Sequence, residues 1–197
     1  MLQSPLFFRQ LLVLLGAVLL TACAMSPQTV VVKPDLKAPS MPIGHGRQVT
    51  VQTVDRRRDS TIGTLGGVYR TAYLNTDGRM EQSVTAEAVT VLQSWDFVAV
   101  PSHLGNAQMA SFTIEILDID YQRPASNVGG NVVAKCRVGV KVEMGDETYS
   151  GEYRSMRSEQ VALMGTPEGN RRLVNQTISQ ALNQIFLDSK LQRFMAR

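Results

Sequence analysis

The chain has 197 residues, with 20 Lys and Arg against 17 Asp and Glu, a formal charge of +3, two cysteines and two histidines. That balance does not argue for a nucleic-acid binder, where a concentrated basic face is expected. Two cysteines and two scattered histidines leave no His/Cys cluster at zinc spacing, no EF-hand spacing appears, and no metal or cofactor is expected.

The N-terminus is set apart. Arg9 precedes an apolar run, Leu11 to Leu20, and Leu20-Thr21-Ala22-Cys23 follows. The run is about 10 residues, against the roughly 18 needed to span a bilayer, so it serves a translocon better than a permanent span. Small residues leading into a cysteine give the signal peptide its lipoprotein form. In bacterial lipoproteins the thiol takes a diacylglycerol, the peptide is cut before the cysteine, and the new amine is acylated. Cys23 is therefore the expected lipidation site and first mature residue. Removing residues 1–22, which hold one basic and no acidic residue, leaves 175 of the 197 residues and takes the charge from +3 to +2. That is enough chain for one domain with a real core. Cys136 is then the only thiol left, so no intrachain disulfide is expected.

Residues 23–46 read as a lipidated, flexible tether. Pro27, Pro34, Pro39 and Pro42 break any helix, and Gly44 and Gly46 close the segment. Extended, it would reach about 70–80 Å. Thr29-Val30-Val31-Val32-Lys33 could add an edge strand on the way.

The periplasmic domain is expected over residues 47–197. Val49, Val51 and, after a kink, Val54 suggest a first strand. The charged run Asp55-Arg56-Arg57-Arg58-Asp59 follows, then a glycine-bearing loop over residues 63–67. In a second strand Val68, Arg70, Ala72 and Leu74 share one face and Tyr69, Thr71 and Tyr73 the other. Thr76 or Asp77 offers an N-cap to a helix over residues 78–94. Its apolar positions Met80, Val84, Ala88, Val91, Leu92 and Trp95 recur at helical spacing. Residues 97–100 are short and β-prone, and Pro101 ends them.

A three-strand meander comes next. Phe112, Ile114 and Ile116 alternate with polar neighbours, and then the phase flips to Leu117, Ile119 and Tyr121, which suggests a bulge. Val132, Ala134, Cys136, Val138, Val140 and Val142 give the cleanest alternation in the chain. Gly145-Asp146 turns it back, and Tyr149, Gly151 and Tyr153 continue an antiparallel partner. Thr166-Pro167-Glu168 starts a last helix, whose stripe is Val174, Ile178, Ala181, Leu182 and Ile185. Leu187, Leu191 and Phe194 continue it or form a separate turn. The expected class is α+β: a mostly antiparallel sheet with two amphipathic helices packed on one face, preceded by a cleaved signal peptide and a flexible tether.

In this order the features resemble the YajG-type family of uncharacterised bacterial lipoproteins. The resemblance rests on the lipobox, the proline-broken tether, and the Val-rich strand running into Asp55–Asp59. It extends to the strand pair ending near Tyr149-Ser150-Gly151-Glu152-Tyr153-Arg154, the C-terminal helix and the tail Phe194-Met195-Ala196-Arg197. It implies a lipid-anchored protein of the Gram-negative envelope with no established activity. Ala24 stands where an Asp would retain a lipoprotein in the inner membrane, so the resemblance implies the outer membrane, periplasmic side.

Three residue sets invite sharper readings. Arg56, Arg57 and Arg58 could hold phosphate or carboxylate groups bidentately; a solvated turn with Asp–Arg pairs of little value is the simpler use. Asp118 and Asp120 share a strand face and could hold a cation, or keep an open face soluble. Cys136 lies in phase with five apolar neighbours and reads as a small buried hydrophobe. No nucleophile elbow accompanies His45 or His103, so no catalytic residues are assigned and the protein is expected not to be an enzyme. The leading function is a non-enzymatic accessory or adaptor for an envelope assembly or transport system. Its expected partners are the membrane, through Cys23, and an envelope protein, with no nucleic acid. The alternatives are a self-associating structural subunit, which makes a homo-oligomer, and a cell-wall hydrolase.

Overall fold

The computed structural model describes residues 26–66, 72–106, 109–123, 130–161 and 166–197. Cys23, the apolar run before it and residues 67–71 lie outside these. Eight strands and three α-helices are described: β1 (Gln28–Val30), β2 (Gln48–Asp55), β3 (Thr61–Gly66), β4 (Ala72–Thr76), α1 (Met80–Ser94), β5 (Val98–Pro101), β6 (Ala110–Gln122), β7 (Gly130–Met144), β8 (Glu147–Val161), α2 (Pro167–Leu187) and α3 (Ser189–Met195).

The alternation in β7 sets the frame. Val132, Ala134, Cys136, Val138, Val140 and Val142 are all buried. β6, β7 and β8 form the expected antiparallel meander, and Met144 pairs with Glu147 across the two-residue turn. Gly145 there has φ +59, a conformation glycine adopts at no steric cost. Against β7, the register of β6 slips by one residue between Ile116 and Asp118. Phe112, Ile114 and Ile116 face inward before the slip, and Ile119 and Tyr121 after it. The phase flip in the sequence is thus a bulge at Leu117.

The far edge of β6 is shared. β2 runs parallel to it along residues 110–116, and β3 touches it at Gly63 opposite Tyr121. β5 lies outside β2, and β4 then β1 lie outside β3. The sheet is therefore mixed: the meander and the β3–β4 pair are antiparallel, while β1–β4, β2–β5, β2–β6 and the short β3–β6 contact are parallel. The path from β2 to β5 passes through α1, the kind of crossover that parallel neighbours require.

Both long helices cover one face of this sheet, as the sequence predicts. α1 lies on β2 and β5, and α2 on β7 and β8. They meet through aromatic rings. Trp95 stands edge-on to Phe186 at 5.7 Å, and Phe186 stacks on Phe112 at 5.8 Å. Every predicted stripe residue of α1 and α2 is buried. α2 is capped by the Thr166 hydroxyl, which accepts from Gly169 N at 3.0 Å, with Pro167 at the first position. Asp188 closes α2 and caps α3, so Leu191 and Phe194 pack from a separate helix while Leu187 stays exposed.

Three local expectations are corrected. β2 has no kink: Thr53, not Val54, takes the next inward position and accepts a hydrogen bond from Thr85 at 2.9 Å. The glycine-bearing stretch over residues 63–66 is strand, not loop. A Cβ on Gly63 would lie 2.1 Å from the Tyr121 carbonyl oxygen, so glycine is what lets β3 reach β6. α1 starts at Met80 with no side-chain cap. Thr76 and Asp77 are used elsewhere: Thr76 accepts from Arg57, and Asp77 accepts from Val32 N at 3.1 Å.

Candidate functional site

The predicted anchor, Cys23, lies outside the described residues. From Gln28 onward the chain is built into the domain. β1 pairs with β4, and Val30 and Val32 are fully inside the core. Residues 31–37 then run extended along α2 as a strap. Lys33 N donates to Asn175 Oδ1 at 2.7 Å, Asp35 N to Ser179 Oγ at 2.9 Å, and Lys37 N to Asn183 Oδ1 at 2.7 Å. Asn175 and Asn183 return bonds to the carbonyls of Val31 and Asp35.

The ladder works because two repeats match. Four helical residues advance about 6 Å, and two extended residues advance about 6.6 Å. Polar side chains at i, i+4 and i+8 of α2 thus meet every second amide of an extended strand. Pro34 falls at an alternate position, where its missing N–H costs nothing. Further along, Trp95 Nε1 donates to Pro39 O at 2.9 Å, Ser40 Oγ to Ser94 O at 2.8 Å, and Gly44 N to Trp95 O at 2.7 Å. The tether boundary at residue 46 is corrected accordingly: the prolines rule out helix, and an ordered strap satisfies them as well as a slack linker does.

The three arginines do not converge. Arg57 turns inward, its side chain 6% exposed. It holds Asp55 with two hydrogen bonds, at 2.9 and 2.7 Å, and donates to Thr76 Oγ1 at 2.8 Å. Arg56 pairs with Glu115 on the open face at 2.9 Å, and Arg58 is exposed. A three-arginine cradle for an anion is therefore not formed. Arg57 is committed to fixing the β2–β3 turn against β4.

Asp118 is exposed, and Asp120 accepts from Gln122 Nε2 at 2.6 Å and lies 4.0 Å from Lys135. Among the described residues no three His, Cys, Asp or Glu side chains gather as metal ligands. His45 sits in a turn with φ +50, and His103 in a short 3-10 turn after β5. Cys136 is buried, and desolvation pushes its thiol up to about 12. A thiol held neutral and covered reacts slowly. Thiol reagents are expected to label Cys136 fast in denaturant and slowly in the native protein. Rapid native labelling would contradict the burial of this strand face.

Two other polar features were not legible in the sequence. At one end of the sheet a cavity of about 630 Å³ is lined by Arg47, Phe97, Met109, Met144, Phe194 and Arg197, among others. Arg47 stacks over Phe97 at 5.3 Å and donates to the carbonyls of Gly44, Ile43 and Met195, tying α3 to the start of β2. At the edge of the sheet, Tyr149 and Tyr153 both donate to Asp188 Oδ2, at 2.8 and 2.7 Å. Partial burial alone would raise the Asp188 pKa. The two phenols and the amides of Lys190 and Leu191 outweigh it and hold the carboxyl below its ordinary value.

A carboxyl lowered in the native state adds stability above its unfolded pKa and loses it as pH falls through the native one. The stability difference between the protein and Asp188→Asn is thus expected to shrink from about pH 5 to about pH 2, read from denaturant midpoints. A constant difference would mean that the carboxylate charge contributes nothing here.

Among the described residues no helix is long and apolar enough to cross a membrane. No curated protein matches this chain. Solved structures similar to it include an uncharacterised protein, with 8% identity, coverage of 86% of this chain and 99% of the other, and TM-score 0.45. A putative neuraminyllactose-binding hemagglutinin homolog from Helicobacter pylori gives 9%, 82%, 96% and 0.43 in the same order. Lipoprotein GNA1162 from Neisseria meningitidis gives 10%, 73%, 99% and 0.40. The family model described as "Uncharacterized lipoprotein" matches residues 34–196, from the strap to the last turn of the C-terminal helix. The chain belongs to this family of lipoproteins, the YajG type.

Proposed function

We propose that the chain is an outer-membrane lipoprotein, anchored by acyl chains on Cys23 and facing the periplasm, that serves as a non-enzymatic accessory or adaptor for an envelope assembly or transport system. The strap is the observation that carries this reading. With Gln28 already paired in the sheet, five residue steps separate Cys23 from the fold, a reach of about 17 Å. That is far below the reach of a slack 23–46 tether. Several acyl chains bind a bilayer firmly. A domain on so short a leash stays beside the membrane, where a partner in the same membrane meets it at raised effective concentration.

The test lengthens the leash. A Gly/Ser insert of about 20 residues between Ser26 and Pro27 adds a coil of about 25 Å end to end. Cross-linking in intact envelopes is expected to give one discrete adduct with an envelope protein for the native chain and a weakened one for the insert, with acylation unchanged. No adduct, or one indifferent to the leash, would overturn the adaptor reading.

A further inference from the structure

We propose that β8 is a dimerisation edge: it pairs antiparallel with β8 of a second copy, about a two-fold axis at Tyr153. This goes beyond the anchored-adaptor reading and does not depend on Cys23.

The first observation is the edge itself. β8 pairs with β7 along its whole length, Glu147 to Val161, without a register shift. Among the described residues no strand pairs with its other side. The other two outer strands, β1 and β5, have 3 and 4 residues; β8 has 15, about 50 Å of open N–H and C=O groups. Proteins usually blunt such an edge with charged side chains, a proline, a bulge or a covering segment. β8 contains no proline and no bulge, and its charges are of both signs, so they can pair across a two-fold axis.

The second observation is its charge order. A two-fold axis perpendicular to the sheet keeps each face continuous, so an even-numbered residue meets an even-numbered one. On the open face the exposed charges are Glu152 and Arg154, which pair with each other within the chain at 2.8 Å and would trade that exposed pairing for one across the axis. Centring the pairing on Glu152 sets two carboxylates opposite each other. Centring it on Arg154 sets two guanidinium groups opposite each other. Both are unfavourable. Centring it on Tyr153 sets Glu152 opposite Arg154 of the second copy, and symmetry repeats the pair. Ser150 then meets Met156, which is 64% exposed, and Thr148 meets Ser158. On the helix face Gly151 meets Ser155 and Tyr149 meets Arg157. Glu147 meets Glu159, but each is already paired, with Arg197 at 3.0 Å and Arg172 at 3.2 Å. The same surface on both copies, self-complementary in one register, is what a closed two-fold interface requires.

The third observation is room. α2 lies over β7 and β8. With strands about 4.8 Å apart, two such helices across the joined edge would have axes about 10 Å apart. That is within ordinary helix-packing distance. Arg172 of α2 is already paired with Glu159 at this edge, and Gln176 and the exposed Leu187 share the α2 groove with Arg157.

Full-length acylated protein in detergent micelles is expected to sediment with twice the protein mass of one chain. Glu152→Arg and Arg154→Glu should each halve that mass, and the double variant Glu152→Arg/Arg154→Glu should restore it. A purely intrachain role for the pair would shift melting without this restoration. Under mild oxidant, Ser150→Cys/Met156→Cys should form an interchain disulfide, and Ser150→Cys alone should not. A monomeric native protein, single variants that remain dimeric, a double variant that stays monomeric, or cross-linking by Ser150→Cys alone would overturn the proposal. Repeating the masses with Cys23→Ala separates it from the anchor: the dimer is expected whether or not Cys23 is acylated.

Discussion

Ile178→Asp is expected to abolish the cooperative thermal transition, while Gln180→Asp, two residues on, changes stability by no more than about 0.5 kcal/mol. Ile178 is fully buried in α2 over the β7–β8 side of the sheet, and Gln180 is exposed on the opposite surface. Burying an isoleucine contributes about 1.5–3 kcal/mol, all of which the substitution forfeits. The new carboxylate would have no partner there and would escape only by protonating or by opening the helix–sheet contact. α2 also holds the strap through Asn175, Ser179 and Asn183. Its release therefore frees the N-terminal segment as well. Melting curves of the two variants decide the matter. An unchanged midpoint for Ile178→Asp would mean that the helix is a detachable arm.

Arg57→Ala is expected to cost about 3 kcal/mol, because removing the buried guanidinium takes two hydrogen bonds from the half-buried Asp55 carboxylate and one from Thr76. The Tm should fall by about 6–12 °C. Arg58→Ala, on the exposed side of the same run, should stay within about 0.5 kcal/mol. Arg56→Ala loses only an exposed ion pair with Glu115 and should cost less than about 1 kcal/mol. Three equal effects on stability would contradict the inward assignment of Arg57. A strong effect of Arg58→Ala on anion binding would revive the cradle that the geometry does not form.

These cases mark what could be read from the chain. The stripes of α1 and α2, the phase of β7 and the bulge in β6 follow from periodicities within one element, where side-chain direction repeats at 3.6 or 2 residues. The Thr166-Pro167 start of α2 is likewise local. The strap was hidden because its partners are remote: Lys33 and Asn175 are 142 residues apart. The spacing of Asn175, Ser179 and Asn183 is visible in the sequence, but polar residues at i, i+4 and i+8 are ordinary on a wet helix face. Gly63 read as loop because glycine punctuates loops more often than it admits a close strand. Arg57 read like its two neighbours, since nothing in a charged run says which member turns inward. The lipobox is the one site feature that needs no fold to be read.

Lipidation at Cys23 is read directly by mass spectrometry of the protein extracted from membranes. The N-terminal peptide is expected to begin at Cys23 and to carry three acyl chains. Cys23→Ala is expected to melt as the native domain does, but to fractionate as soluble periplasmic protein or to keep its uncut signal peptide. An unmodified Cys23 at a mature N-terminus, or a processed and membrane-bound Cys23→Ala protein, would contradict it.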